Sequence, residues 1–343
     1  MVLIGMLHNR KDPARVKKAY PFAAVAKMEG IEFIYFTFNG VDFDRKIVNG
    51  WVYEKGKWIE KQVGFPTVII NSCNPKNDKH VMVVERLKRV AVFTSYPVGN
   101  KISVYKRVKK AKTFASYLIP STILESANDL FSFLETQSVA VIKPLTGNHG
   151  KRIFFIKKVK EDMYQWMDGS KTLFYKKRQL EALVNQVILN QKYLLQPFIE
   201  CKTKSGLTHD YRLHVQKNGS GKWEITLIYP RISGNKKMVS NISSGGYRGE
   251  LIPFLKEEFK EDYMKMKCIL EEFALAFASH FESLYNNPFD ELGIDVGVDQ
   301  QQNLWIFEVN WRPGSKNREF EVAKRLIPYC NFLATEEFDN RPS

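Results

Sequence analysis

The sequence predicts an α/β (α+β) protein of about two domains, and three observations carry that expectation. Strand, helix and strand alternate through the first hundred residues, which favours a partly parallel sheet covered by helices. Near Val98-Gly99-Asn100 the pattern changes to a long basic helical stretch. An antiparallel pair, Gly293 to Val298 and Leu304 to Val309, comes near the end. The length of 343 residues agrees, since a domain takes roughly 150.

Each element has its own signal. Val2 to Leu7 is a short apolar strand, and Ala14 to Glu29 keeps helical spacing up to Gly30. Ile31 to Phe38 is β-branched and aromatic, and closes on Asn39-Gly40. Ile47 to Ile59 reads as a hairpin around Glu54-Lys55-Gly56-Lys57. Val68 to Ile70 adds a strand and Val81 to Arg89 a short helix. Beyond the boundary, helices are expected over Lys101 to Tyr117, Ser126 to Thr136 and Glu257 to Leu284. Strands are expected at 139–142, 153–156, 193–196, 211–216 and 223–229.

Lysine plus arginine outnumber aspartate plus glutamate by 52 to 37, a formal charge of +15. Such a surface attracts nucleic acid, anionic membrane or acidic peptide alike. The runs 106–110, 157–160 and 176–178 read first as solvated faces. No zinc-finger or RNP-like spacing supports nucleic-acid reading, which stays a weak alternative, and an acidic partner is compatible with the charge. No apolar run nears the roughly 20 residues of a membrane span, and no signal-peptide pattern opens the chain. Four scattered cysteines form no CxxC pair, so a disulfide framework is not expected and a reducing cytoplasm is the simpler setting.

Three segments carry chemistry. In the first, Val139 to Ile142 leads to Lys143-Pro144 and a loop with Gly147 and Gly150. A strand-end lysine can reach a phosphate, and glycines let backbone N–H groups approach one. The Walker A and GxGxxG spacings are absent, and a hairpin turn with a surface lysine is the plainer alternative. His149 reads as a loop residue.

In the second, strand alternation points Asp295, Gly297 and Asp299 to one face, and Glu308 and Asn310 likewise share a face. Such oxygens between strands suit a hard cation such as Mg²⁺. In the third, Asp210-Tyr211-Arg212, Arg231 and Asn241 to Gly246 place two arginines with a glycine-rich turn. This set can offset charge on a transferring phosphoryl group. A strand-edge salt bridge between Asp210 and Arg212 is the alternative.

Taken in order, Lys143-Pro144, Gln196-Pro197-Phe198-Ile199, Asp210-x-Arg212, Asn241-x-x-x-Gly245-Gly246, Asp295 and Glu308-x-Asn310 resemble the ATP-grasp superfamily of carboxylate ligases. More narrowly, Asp42-Phe43-Asp44 and Asn49-Gly50-Trp51 before the hairpin look like the YheC/YheD group, described as endospore coat-associated. The resemblance implies an ATP-grasp fold of two α+β subdomains clasping ATP over residues 100–335. A smaller α/β domain over 1–99 would precede it and a tail over 336–343 follow.

It further implies that Lys143 and Lys101 hold nucleotide phosphates and that Gly147 and Gly150 belong to the covering loop. Gln196, Pro197, Phe198 and Ile199 would read adenine, with Asp210 and Gly245 also on the nucleotide side. Arg212, Arg231 and Asn241 would act on the phosphoryl group and the acyl phosphate. Asp295, Glu308 and Asn310 would bind two Mg²⁺ ions, or Mn²⁺ in their place.

The implied activity is ATP-dependent joining of a carboxylate to an amine, on a peptide or amino acid. Two alternatives stand beside it: a nucleotide-binding coat-assembly protein with little turnover, and a phosphotransferase on the same fold. A homodimer is compatible with the resemblance, and so is association with a spore coat after a cytoplasmic phase.

Overall fold

A computed structural model describes residues 2–146, 152–168, 171–234 and 246–339. Three sheets organise them. The first has the order β4-β3-β2-β1-β5-β6. It is built from β1 (Leu3–Leu7), α1 (Ala19–Met28), β2 (Glu32–Asp42), β3 (Ile47–Glu54), β4 (Lys57–Gly64), β5 (Val68–Asn71), α2 (Asp78–Leu87) and β6 (Val92–Phe93). β1 pairs in parallel with β2 and β5, whereas β2, β3 and β4 form an antiparallel meander.

The helix expected from Ala14 starts five residues later. Asp12 accepts the Ala14 N–H at 2.9 Å and caps a 3₁₀ turn at Pro13–Arg15, which holds the chain out of the α-helix. Pro21 then falls in the first turn of α1, where its missing N–H has no intrahelical partner to lose. The hairpin turns at Lys55 and Gly56, both at positive φ (47° and 79°), as a two-residue turn matched to strand twist demands.

The second sheet, order β11-β10-β9-β8-β12-β7, is antiparallel throughout. Its elements follow α3 (Lys101–Ala111): β7 (Thr122–Leu124), α4 (Ala127–Thr136), β8 (Ala140–Pro144), β9 (Phe154–Lys160), β10 (Met163–Asp168), β11 (Lys171–Lys176), α5 (Lys177–Asn190) and β12 (Tyr193–Pro197). The helix expected over 101–117 is shorter, because Lys112 turns to φ 68° and a 3₁₀ turn occupies Ala115–Tyr117. α4 starts on a capping box between Ser126 and Asp129.

The third sheet, order β15-β14-β13-β16-β17, is also antiparallel. It comprises β13 (His209–Lys217), β14 (Trp223–Ile232), β15 (Tyr247–Arg248), β16 (Glu291–Val298) and β17 (Leu304–Asn310). Between β15 and β16 run α6 (Leu251–Phe259) and α7 (Tyr263–Ser283). The single helix expected over 257–284 is therefore two, broken by a 3₁₀ turn at Lys260–Asp262 with Lys260 at φ 50°. Phe273, Phe277 and Phe281 of α7 stack in series and pack on the apolar face of β13 and β16.

The chain then returns. α8 (Glu319–Asp339) spans the expected boundary at 335 and buries Val322, Leu326, Ile327 and Cys330 in one core with α1, β1 and β5. The first sheet is thus covered by residues from both halves of the sequence. No helix among the described residues is long and apolar enough to cross a membrane.

Candidate active site

A cleft of about 330 Å³ opens between the second and third sheets. Lys143 enters it from β8, Gln196 from β12, Glu308 and Asn310 from β17, and Lys101 from the first turn of α3. α3 begins there because Asn100 caps it, accepting the Ser103 N–H at 2.9 Å, so the positive end of the helix adds to the cleft's charge.

Lys101 Nζ lies 3.0 Å from Glu308 Oε1, and Lys143 Nζ donates to the Phe307 carbonyl at 3.4 Å. Burial lowers the Lys143 pKa to about 8, against an upward pull from Glu308. Gln196 is buried and donates to Ser121 Oγ. Pro197, Phe198 and Ile199 follow at the end of β12, and the Phe198 N–H is taken by the Val139 carbonyl at 3.1 Å.

Behind the cleft, strand register builds a buried ion-pair chain. β13 and β14 set Asp210 opposite Arg231, and β13 and β16 set Arg212 opposite Asp295. Arg231 Nε donates to Asp210 Oδ1 at 2.8 Å, and its Nη2 lies 3.0 Å from Asp295 Oδ2. Arg212 grips both oxygens of Asp295, with Nη2 at 3.1 Å from Oδ2. Burial raises the Asp295 pKa, but the two guanidinium groups outweigh it and hold the carboxyl below its ordinary range. The alternative of a surface bridge between Asp210 and Arg212 is replaced: each pairs across the sheet, and Asp210 is 3% exposed.

Asp295 also pairs in register with Glu308, and Gly293 with Asn310. Two carboxylates and an amide oxygen on adjacent strands are the right donors for a hard cation, with positions left for phosphate oxygens and water. Among the described residues no group of three or more His, Cys, Asp or Glu is placed to hold a metal ion.

Of the expected common face of Asp295, Gly297 and Asp299, the first two lie in β16 and Asp299 lies just past its end. The ladder shifts register after Asp295 because β17 carries the extra residue, Phe307, so β16 itself keeps its alternation. A Cβ at Gly297 would run into the Phe307 ring and come within 2.6 Å of Cys201 Sγ, so this position serves close packing. The Asp299 carboxylate closes the β16–β17 turn, accepting from the Gln301 and Asn303 N–H groups at 2.9 and 2.8 Å and from Trp305 Nε1 at 2.8 Å. Gly147, Gly150, Asn241 and Gly245 lie outside the described residues.

Sequence reasoning passed over Thr146, Ser121 and Trp311, which also line the cleft, and a buried group beside β16. There Ser95 Oγ donates to Asp290 Oδ2 at 2.7 Å, while Asp290 Oδ1 has no partner among the described residues. Burial, then the neighbouring Glu291, pushes the Asp290 pKa up to about 7 from an ordinary 3.8. The folded state therefore holds this proton more tightly than the unfolded chain. Its contribution is fully present below about pH 4 and is lost as pH rises through about 7. Asp290→Asn is expected to raise stability by about 1–3 kcal/mol at pH 8 and to leave it nearly unchanged at pH 4. Denaturant midpoints at the two pH values check this.

The lysine-lined cleft between two antiparallel sheets, with carboxylates on its edge, belongs to an ATP-grasp fold. Solved structures agree in fold. One is an ADP complex of N5-carboxyaminoimidazole ribonucleotide synthetase (TM-score 0.56, 12% identity, 96% of this chain and 77% of that one). Another is the ATP-grasp ligase PsnB complexed with a phosphomimetic variant of its minimal precursor, Mg and ADP (TM-score 0.53, 11% identity, 98% and 99%).

Residues 90–333 match the family model for YheC/D like ATP-grasp, and the chain belongs to that family. It is 25% identical over 335 residues to endospore coat-associated protein YheC of Bacillus subtilis (strain 168), covering 90% of each chain. It is 24% identical over 319 residues to endospore coat-associated protein YheD of the same organism, covering 85% of this chain and 70% of that one.

Proposed function

We propose that the protein is an ATP- and Mg²⁺-dependent carboxylate–amine ligase working through an acyl phosphate. The observation that carries this reading is the convergence of Lys101, Lys143 and Glu308 on one cleft, backed by the Arg212–Asp295–Arg231 chain. Lys101 and Lys143 bind phosphate oxygens as point charges, and the Gln196 to Ile199 segment offers backbone groups to adenine. Asp295, Glu308 and Asn310 would hold two Mg²⁺ ions, which when bound supply charge neutralisation at the phosphate oxygens.

Arg212 and Arg231 are fixed in place by buried carboxylates before substrate arrives. They offset charge on the transferring group. A carboxylate oxygen attacks the γ-phosphorus and ADP leaves; an amine nitrogen then attacks the acyl carbon and phosphate leaves. Positioning carries most of this chemistry, so no protein nucleophile is required. The setting is the cytoplasm, with later association with a spore coat carried over from the relatives' names.

Calorimetry of ATP binding, with and without Mg²⁺, tests the reading on wild type and Glu308→Ala. Mg²⁺ is expected to tighten ATP binding in the wild type. Removing the carboxylate is expected to cost at least about tenfold in affinity with Mg²⁺ present. Absence of ATP binding in the wild type would sink the proposal. Binding without ADP release across a carboxylate and amine panel would favour a coat-assembly role, and a stable phosphorylated product a phosphotransferase.

A further inference from the structure

A second cavity, of about 360 Å³, lies at the carboxyl ends of the parallel strands β1 and β5, where crevices of open α/β sheets take ligands. It adjoins the first through two consecutive residues. Trp311 lines the ATP-grasp cleft, while Arg312 lines the second cavity with its guanidinium over the Trp311 ring at 3.9 Å. Arg312 is braced by donating Nη1 to the Asn71 carbonyl at 3.2 Å and Nη2 to Asn74.

The lining divides by chemistry. Met6, Phe22, Ile70 and Leu326 give an apolar floor. Arg312, Lys17 and Lys18 give positive charge, and Glu291 gives a carboxylate that is 3% exposed. Glu291 is held from behind, its Oε2 lying 3.1 Å from His214 Nε2. Its other oxygen, Oε1, forms an ion pair with the Lys18 ammonium at 3.9 Å, a contact longer than a hydrogen bond that a ligand ammonium would share. The lining carries charge of both signs, and a molecule with both an ammonium and a carboxylate has a partner on each wall. The volume is at the small end for ligand sites, which roughly span 300–1,000 Å³, and suits a single small molecule.

We infer that this cavity binds a free α-amino acid with an apolar side chain, its ammonium on Glu291, its carboxylate on Arg312 and Lys17, and its side chain on the Met6–Phe22–Ile70–Leu326 floor. The inference rests on the ligase reading for its role: the carboxylate end is turned to the residue next to the ATP-grasp cleft, so the amino acid is the acyl donor. Its carboxylate oxygen takes the γ-phosphoryl group as the bond to ADP breaks.

The test is calorimetric titration of the full chain, without nucleotide, with L-leucine, N-acetyl-L-leucine, L-leucinamide and L-glutamate. L-Leucine is expected to bind, and removing either charge to weaken binding at least about tenfold. Glu291→Gln is expected to narrow the preference for leucine over its N-acetyl form. Should that variant fail to fold, Lys17→Ser at the exposed rim is expected to weaken leucine and N-acetyl-leucine alike, leaving leucinamide unchanged. No leucine binding in the millimolar range, equal binding of leucine and its capped forms, or tighter binding of glutamate would overturn the inference. ATP titrated into the same samples separates the two ideas. ATP binding without amino-acid binding refutes the second site alone, and amino-acid binding without ATP binding refutes the ligase reading alone.

Discussion

Asp210→Ala is expected to lower stability by about 3–5 kcal/mol, the cost of stranding a buried charge whose partner is removed. Arg231 is 6% exposed, and Asp210 is the partner that meets both its Nε and Nη2. Without Asp210, Arg231 keeps, among the described residues, the Asp295 oxygen at 3.0 Å, which it shares with Arg212. Two guanidinium groups would then compete for one carboxylate. Denaturant unfolding checks the loss, and the double variant Asp210→Leu/Arg231→Met separates charge stranding from lost packing. Most of the stability is expected to return in the double variant, because two apolar side chains of similar size leave no unpaired charge. Turnover should not return with it, since the guanidinium is gone. A loss in Asp210→Ala of under about 1 kcal/mol, as for an exposed pair, would contradict the buried network.

Lys143→Met is expected to move two quantities in opposite directions. Its folded pKa, about 8, lies below the ordinary 10.5, so the fold disfavours the charged form. Stability is gained as pH rises from about 8 toward 10.5, and at neutral pH the protonated lysine carries its full desolvation cost. Removing the charge at pH 7 should therefore stabilise the nucleotide-free protein, by about 1–3 kcal/mol for this partly buried group. ATP affinity should meanwhile fall about 10–100-fold, the worth of a charge-assisted contact. In the wild type, ATP affinity is expected to decline as pH rises above about 8, because the neutral amine no longer attracts phosphate. Thermal melts without nucleotide and calorimetry with ATP read the two effects separately. Unchanged ATP affinity in the variant would remove Lys143 from the nucleotide site.

Much of this arrangement is legible in the sequence, because polar residues inside apolar strands are conspicuous. Glu308 and Asn310 in β17, and Arg212 in β13, stand out for that reason. What cannot be read is partnership. Asp210 and Arg231 meet only because β13 and β14 pair in one register, and a one-residue slip would turn them to opposite faces.

Elements without a clean buried period are also hidden. β11 is exposed along most of its length and shows no alternation. α8 carries Pro328 inside a helix, where the missing N–H and the ring argue against helical geometry. Tertiary packing on the first sheet overrides that penalty. Arg312 escapes notice because its neighbours Asn71 and Asn74 lie about 240 residues earlier in the chain.

The return of α8 sets an order on biosynthesis. β1 and α1 leave the ribosome before either of the other two sheets, but Val322, Leu326, Ile327 and Cys330, which cover them, are made only after both. That sheet therefore lacks part of its cover until the other two have been made. Until then its apolar surface stays open to chaperones.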